Sequence, residues 1–116
     1  MITKGIRGAT TVEENSYDAI KSATLELLEE IVKQNDFTQE DISHVIFTIT
    51  KDLDKVNPAT IARVDFGWDK TALMCFNEAN IENSIDKCIR VLVVINCIID
   101  FEPKFVYLKT AKNLRK

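Results

Sequence analysis

Three cysteines and one histidine are all that this 116-residue chain offers to soft metal chemistry. Cys75, Cys88 and Cys97 are odd in number, form no Cys-x-x-Cys pair, and lie far from His44 in sequence. That argues against a zinc site and against a disulfide framework. The thiols read instead as small buried hydrophobes in a reducing compartment. No apolar run is long enough to span a bilayer, since the longest, Val91 to Ile99, is interrupted by Asn96. The first residues, Met1-Ile2-Thr3-Lys4, lack the apolar core of a signal peptide. Basic charge is not in excess either: 15 Lys and Arg stand against 18 Asp and Glu, a net charge of -3. A general nucleic-acid binder would carry a basic face, although a locally cationic pocket remains compatible with the total. These absences lead us to expect a soluble cytoplasmic protein with neither a membrane nor a nucleic acid as partner.

What is present is ordinary globular material. Hydrophobic content is 46% and charged content 28%, which excludes disorder on composition. No internal repeat, linker or low-complexity segment appears, so residues 1–116 are read as one domain. A domain this small buries only about two-thirds of its unfolded surface, so oligomerisation would help it. Ile2 to Thr11 reads as a strand. Tyr17 to Asn35 reads as the only long helix, with Ser16 as N-cap and Ile20, Ala23, Leu27, Leu28 and Ile31 on one stripe. Thr38-Gln39-Glu40-Asp41 resembles a capping box and predicts a short helical turn. Val45 to Thr50 is β-branched and predicts a second strand. Asn57-Pro58 starts a short helix that Gly67 stops. Thr71 to Cys75 predicts a short strand, and Asn77 to Ser84 an irregular polar segment. Cys88 to Cys97 is the most strand-like run, apolar enough to suggest burial on both faces. Phe105 to Leu108 is a last strand, and the tail from Lys109 is expected to be mobile. The pattern is α+β: a mixed five-stranded sheet with one long and one short helix.

Three segments stand out chemically. Gly5-Ile6-Arg7-Gly8-Ala9 sets an arginine between two glycines inside a strand, where glycine marks a bend or a close approach to the backbone. Cys75-Phe76-Asn77-Glu78 brings a thiol and a carboxylate to a strand end, and Lys87-Cys88-Ile89-Arg90-Val91 places a guanidinium at the start of an apolar strand. A charge there needs a partner or a wet cavity, or it snorkels to solvent from the strand end. Glu78 alone reads as a solvated loop carboxylate, Cys75 as a buried thiol, and Tyr107 as a core residue with a wet tip.

Together these segments resemble the AroH class of monofunctional chorismate mutases over nearly the whole chain. The resemblance implies a pericyclic rearrangement of chorismate to prephenate, in the biosynthesis of phenylalanine and tyrosine, with no cofactor and no metal. It implies that Arg90 faces the breaking ether oxygen and a substrate carboxylate. Arg7 and the Tyr107 hydroxyl would bind carboxylate. Glu78 would accept from the ring hydroxyl, with Cys75 nearby. It further implies a pseudo-α/β-barrel homotrimer whose sites lie between subunits. Arg63 would come from the neighbour, Pro58 and Ala59 match the family's substrate-site pattern as well, and Leu114 and Arg115 would begin a flexible cover. The chain departs from the family at Asn57, where an apolar aromatic is found, at Thr60, where a lysine occurs, and at Met74, a position that takes threonine. These changes make the neighbour's wall less cationic. The competing reading from another class is a non-catalytic trimeric binding module for small carboxylates.

Overall fold

A computed structural model describes residues 1–115, with Arg115 defined in its backbone only. Its centre is a five-stranded mixed sheet in the order β3-β2-β4-β1-β5. The strands are β1 (Ile2–Thr11), β2 (Ile42–Ile49), β3 (Ala72–Asn77), β4 (Cys88–Cys97) and β5 (Val106–Tyr107). β4 runs antiparallel to both β1 and β2, while β3 is parallel to β2 and β5 parallel to β1. The central position of β4 fits its sequence, rich in Val and Ile, which suits a strand paired on both edges.

Two helices cover one face of the sheet. Helix α1 (Tyr17–Gln34) starts where the Ser16 side chain accepts from the Ala19 N–H at 3.1 Å. It buries Ile20, Ala23, Leu27, Leu28 and Ile31 against the sheet. Gly8 is what lets it sit so close: a Cβ there would come within 2.7 Å of Ile31 Cδ1 and 3.1 Å of Leu27 Cδ1. The close approach anticipated at this glycine is thus made by the helix. Helix α2 (Pro58–Val64) begins at Asn57, whose side chain accepts from the Ala59 N–H at 2.8 Å, and Gly67 follows with φ of +89°. Thr38 N–H donates to Asp41 Oδ2 at 2.9 Å, closing the expected turn, a 3-10 segment over Gln39–Asp41.

Three expectations need correction. β4 is buried on one face only: Ile89, Val91, Val93 and Ile95 are covered, while Arg90, Leu92, Val94 and Asn96 remain partly open. The helices protect one side, while the other is covered only at its Cys88 end, by the segment that follows β5. The start of the tail is not free, because Lys109–Arg115 forms a 3-10 helix with Ala111 fully buried against Ala9 and Cys88. A hydrogen bond from Leu108 N–H to Ala9 O, 2.9 Å, ties it to β1. β2 also begins earlier than its β-branched core suggests, at Ile42, with a register irregularity before His44.

Candidate active site

Strand register builds the site on the open face. One row crosses the whole sheet: Phe76 on β3 faces Thr48 on β2, Thr48 faces Arg90 on β4, Arg90 faces Ala9 on β1, and Ala9 faces Tyr107 on β5. Directly paired residues share a face, so side chains distant in sequence converge. The next row places Arg7 opposite Leu92, and Leu92 opposite Ile46. A cavity of about 290 Å³ lies over these rows, lined by Arg7, Ala9, Ile46, Thr48, Arg90 and Tyr107 among others. A larger hollow of about 750 Å³ lies beyond the C-terminal end of α1, beside Phe37, Ile98 and Ile99, and shares no candidate residue with it. Chemistry, not size, selects the smaller one.

Arg90 is at its polar edge, paired with Glu78, which lines an adjoining depression. Arg90 Nε stands 2.7 Å from Glu78 Oε1, an ion pair with the carboxylate largely buried, at 14% side-chain exposure. The Nε–H does not line up with that oxygen, so the atom is buried and charge-paired yet lacks an aligned acceptor. Thr48 Oγ1 donates to the same Oε1 at 3.1 Å, and the Glu78 N–H donates to Ile49 O at 2.8 Å. Both ends of Glu78 are therefore tied to β2. The Cys88 thiol lies beside this pair. Burial pushes it up to about 11, partly opposed by the Arg90 cation, so it stays protonated at neutral pH.

Arg7 is exposed and holds its guanidinium carbon 5.7 Å above the Phe105 ring. That is within cation–π range, and among the described residues no carboxylate pairs with Arg7. Tyr107 is half-buried, packed with Leu114 against the Ala9, Cys88 and Ala111 cluster. Met74 is exposed on the open face, in register with Ile46.

The other candidates lie elsewhere. Cys75 pairs with Phe47 and packs on the core side. Burial raises its pKa, and its side chain shares a small depression with Asn57 and Val56. Ala59 and Arg63 lie on α2, which packs beside α1 over the core face. Within one chain the sheet separates them from Arg90. The Arg115 side chain lies outside the described residues. Thr48 and Phe76 are additions that sequence reasoning missed. The signal for Thr48 was its alternation with Phe47 in a strand whose neighbours on the buried side are all apolar.

The sequence pattern of the family described as chorismate mutase type I matches residues 3–116. Chorismate mutase AroH of Bacillus subtilis (strain 168) is 34% identical over 116 residues, spanning 99% of this chain and 91% of that protein. Chorismate mutase AroH of Thermus thermophilus is 38% identical over 116 residues, spanning 98% and 94%. Among solved structures, a chorismate mutase from Clostridium thermocellum, Cth-682, superposes with a TM-score of 0.89 at 47% identity, over 95% of this chain and 98% of that one. With a matching sequence family, full-length relatives and the same fold in agreement, the chain belongs to the type I, AroH-class chorismate mutases.

Proposed function

We propose that the Arg7, Arg90 and Tyr107 pocket is where this chorismate mutase converts chorismate to prephenate. The rearrangement is unimolecular and has no nucleophile to activate. The substrate carries two carboxylates, and negative charge grows on the ether oxygen as its C–O bond breaks. Arg7 and the Tyr107 hydroxyl hold carboxylates, selecting the compact conformer in which the reacting carbons meet. Arg90 faces the ether oxygen, and one well-placed donor of this kind is worth roughly 2.7–4 kcal/mol in the transition state. Glu78 accepts from the ring hydroxyl. The observation carrying this reading is Arg90 Nε, buried and charge-paired without an aligned acceptor. A guanidinium offers five donors, and one carboxylate oxygen occupies only part of that fork. A donor already desolvated and fixed costs little reorganisation when charge develops. A binding module for carboxylates has no use for Glu78 beside Arg90, and that reading is set aside.

We further propose that the active molecule is a cytoplasmic homotrimer with sites between subunits, the 116 residues acting as one catalytic unit. Ile46, Leu92 and Val94 lie half-covered, and Met74 and Phe76 exposed, on the open face. A neighbour would cover such a surface. Arg63, behind the sheet in its own chain, would then serve the next subunit's site. Among the described residues no helix is long and apolar enough to cross a membrane.

Two experiments test this. Purified protein should consume chorismate and yield prephenate with excess chelator present, since every assigned donor is a side chain. Activity lost to chelator and restored by a divalent ion overturns the mechanism. Arg63→Ala and Arg90→Ala chains, each impaired alone, should regain activity when re-assembled at equal ratio. In a cyclic trimer about a quarter of sites then draw both faces from unmutated surfaces. No recovery, with subunit exchange verified by mass, refutes the shared site.

A further inference from the structure

Glu78 opens an irregular loop, residues 78–87, and Arg90 follows its end; Glu78 is fastened to Thr48 and Ile49 of β2, and the far end of the loop to the next turn. That turn follows β2. Its Thr50 N–H donates to Cys88 O at 3.1 Å, and the Cys88 N–H donates back to Thr50 Oγ1 at 3.0 Å. Asp52 completes the junction. Its carboxylate accepts the Lys87 N–H at 3.0 and 3.2 Å, and accepts from the Thr50 hydroxyl as well. Lys87 is held from the other side too, its carbonyl accepting from the Val12 N–H at 2.8 Å. The residue so clamped has φ of +45°, a left-handed conformation that a lysine adopts only when its surroundings impose it. Three residues later comes Arg90. Asp52 itself is exposed, so hydrogen bonds and not burial give it its place.

We propose that Asp52 is a positioning residue of the mutase reaction. By capping the Lys87 N–H and orienting the Thr50 hydroxyl, it fixes the backbone at which β4 begins and hence the direction of the Arg90 guanidinium. The inference rests on the role assigned to Arg90 above. Releasing Lys87 lets the first residues of β4 relax toward ordinary dihedrals, and small misplacements of a catalytic group are costly in rate. Among the described residues, the side chains of the carboxylate-holding groups, Arg7 on β1 and Tyr107 on β5, form no hydrogen bond with this turn, so the loss falls on turnover more than on affinity.

The test is a double-mutant cycle. Asp52→Ala should lower kcat on the order of tenfold, with KM for chorismate within about twofold. Asp52→Asn, which keeps one acceptor oxygen for Lys87, should lose only about threefold. In an Arg90→Lys background, either change should cost less than about twofold, because the fork geometry that Asp52 guards is already gone. Equal losses in the two backgrounds mean that Asp52 serves folding alone, and overturn the proposal. So does a loss confined to KM, or an unchanged kcat in both Asp52 variants. If Asp52→Ala does not fold, the Asp52→Asn pair decides the question in the same way. Full activity of Arg90→Lys itself would instead refute the role of Arg90, a failure distinct from that of Asp52.

Discussion

Along β4, Ile89, Val91, Val93 and Ile95 reach into the core beneath the helices, while Arg90, Leu92 and Val94 project to the opposite side and stay partly open. The same division runs through β1, where Gly8 meets α1 and Arg7 meets solvent, and through β2, where Phe47 is fully buried and Thr48 holds Glu78. One face is apolar, packed and finished within the chain. The other is mixed in character and stays partly open within the chain. Period-two alternation lets adjacent residues answer to unrelated demands. Sequence neighbours such as Phe47 and Thr48, or Arg90 and Val91, should therefore fail in different ways when changed.

The strongest challenge to that division is on the core side. Phe47→Ala should lower the unfolding free energy by about 3–5 kcal/mol, while the fraction that stays folded keeps kcat/KM within about threefold of wild type. Denaturant midpoints with kinetics normalised to folded protein decide it, and a large kinetic loss in folded material would couple the faces. Next comes Arg90→Lys, which keeps the charge but loses the planar fork. It should cut kcat/KM at least about a hundredfold, roughly 2.7 kcal/mol, with the unfolding midpoint unchanged. Gly8→Ala sits between Arg7 and Ala9 yet faces α1. Its Cβ would crowd Ile31, Leu27 and Val91, so stability should fall by about 1–3 kcal/mol from overpacking. If Gly8→Ala instead left stability intact and raised KM, the glycine would belong to the site.

The smallest effect is a pH dependence. Burial raises the Cys88 thiol to about 11 in the folded chain, against about 8.5 for a free thiol. The neutral form is the one the fold favours. Its contribution is complete below the unfolded value and is lost as pH rises toward the folded one. Between roughly pH 9 and 10.5, wild type should therefore lose on the order of 1 kcal/mol more stability than Cys88→Ala. Parallel slopes in the two proteins would place Cys88 in a more solvated setting than its contacts indicate.

Much of the fold was legible because local signals agreed with the final packing. Ser16, Asn57-Pro58 and Gly67 bound the helices where their chemistry requires. β4 was legible as a strand, but its open face was not, because an apolar run looks alike whether it meets helices or awaits a partner. Arg7, Glu78, Arg90 and Tyr107 were named from their motifs, and register brings Arg7, Arg90 and Tyr107 to one cavity with Glu78 against Arg90. Cys75 shows the limit: its neighbour in sequence, Phe76, is on the Arg90 row while Cys75 is not. Thr48 was missed because its alternation with Phe47 tells which face it takes but not that Glu78 meets it there. Asn57 departs from the family's aromatic, and the structure commits its side chain to capping α2.

The pairing of β1 with β4 joins Ile2 to Cys97 and Thr11 to Cys88, and β5 then closes on β1 through Gly8 and Ala9. On the ribosome this order imposes a wait. Arg7 is made well before Tyr107, and at roughly 5–20 residues per second β1 spends several seconds without either of its strand partners. Its core-facing Ile6 and Gly8 can meanwhile meet the newly made α1, which follows closely in the chain and packs on Gly8. A strand–helix pair of neighbouring segments is the local contact that forms early, and the long-range sheet pairings come after it. The nascent chain can thus hold a strand–helix seed well before the cavity lined by Arg7, Arg90 and Tyr107 exists, since that cavity is complete only once Tyr107 has been made.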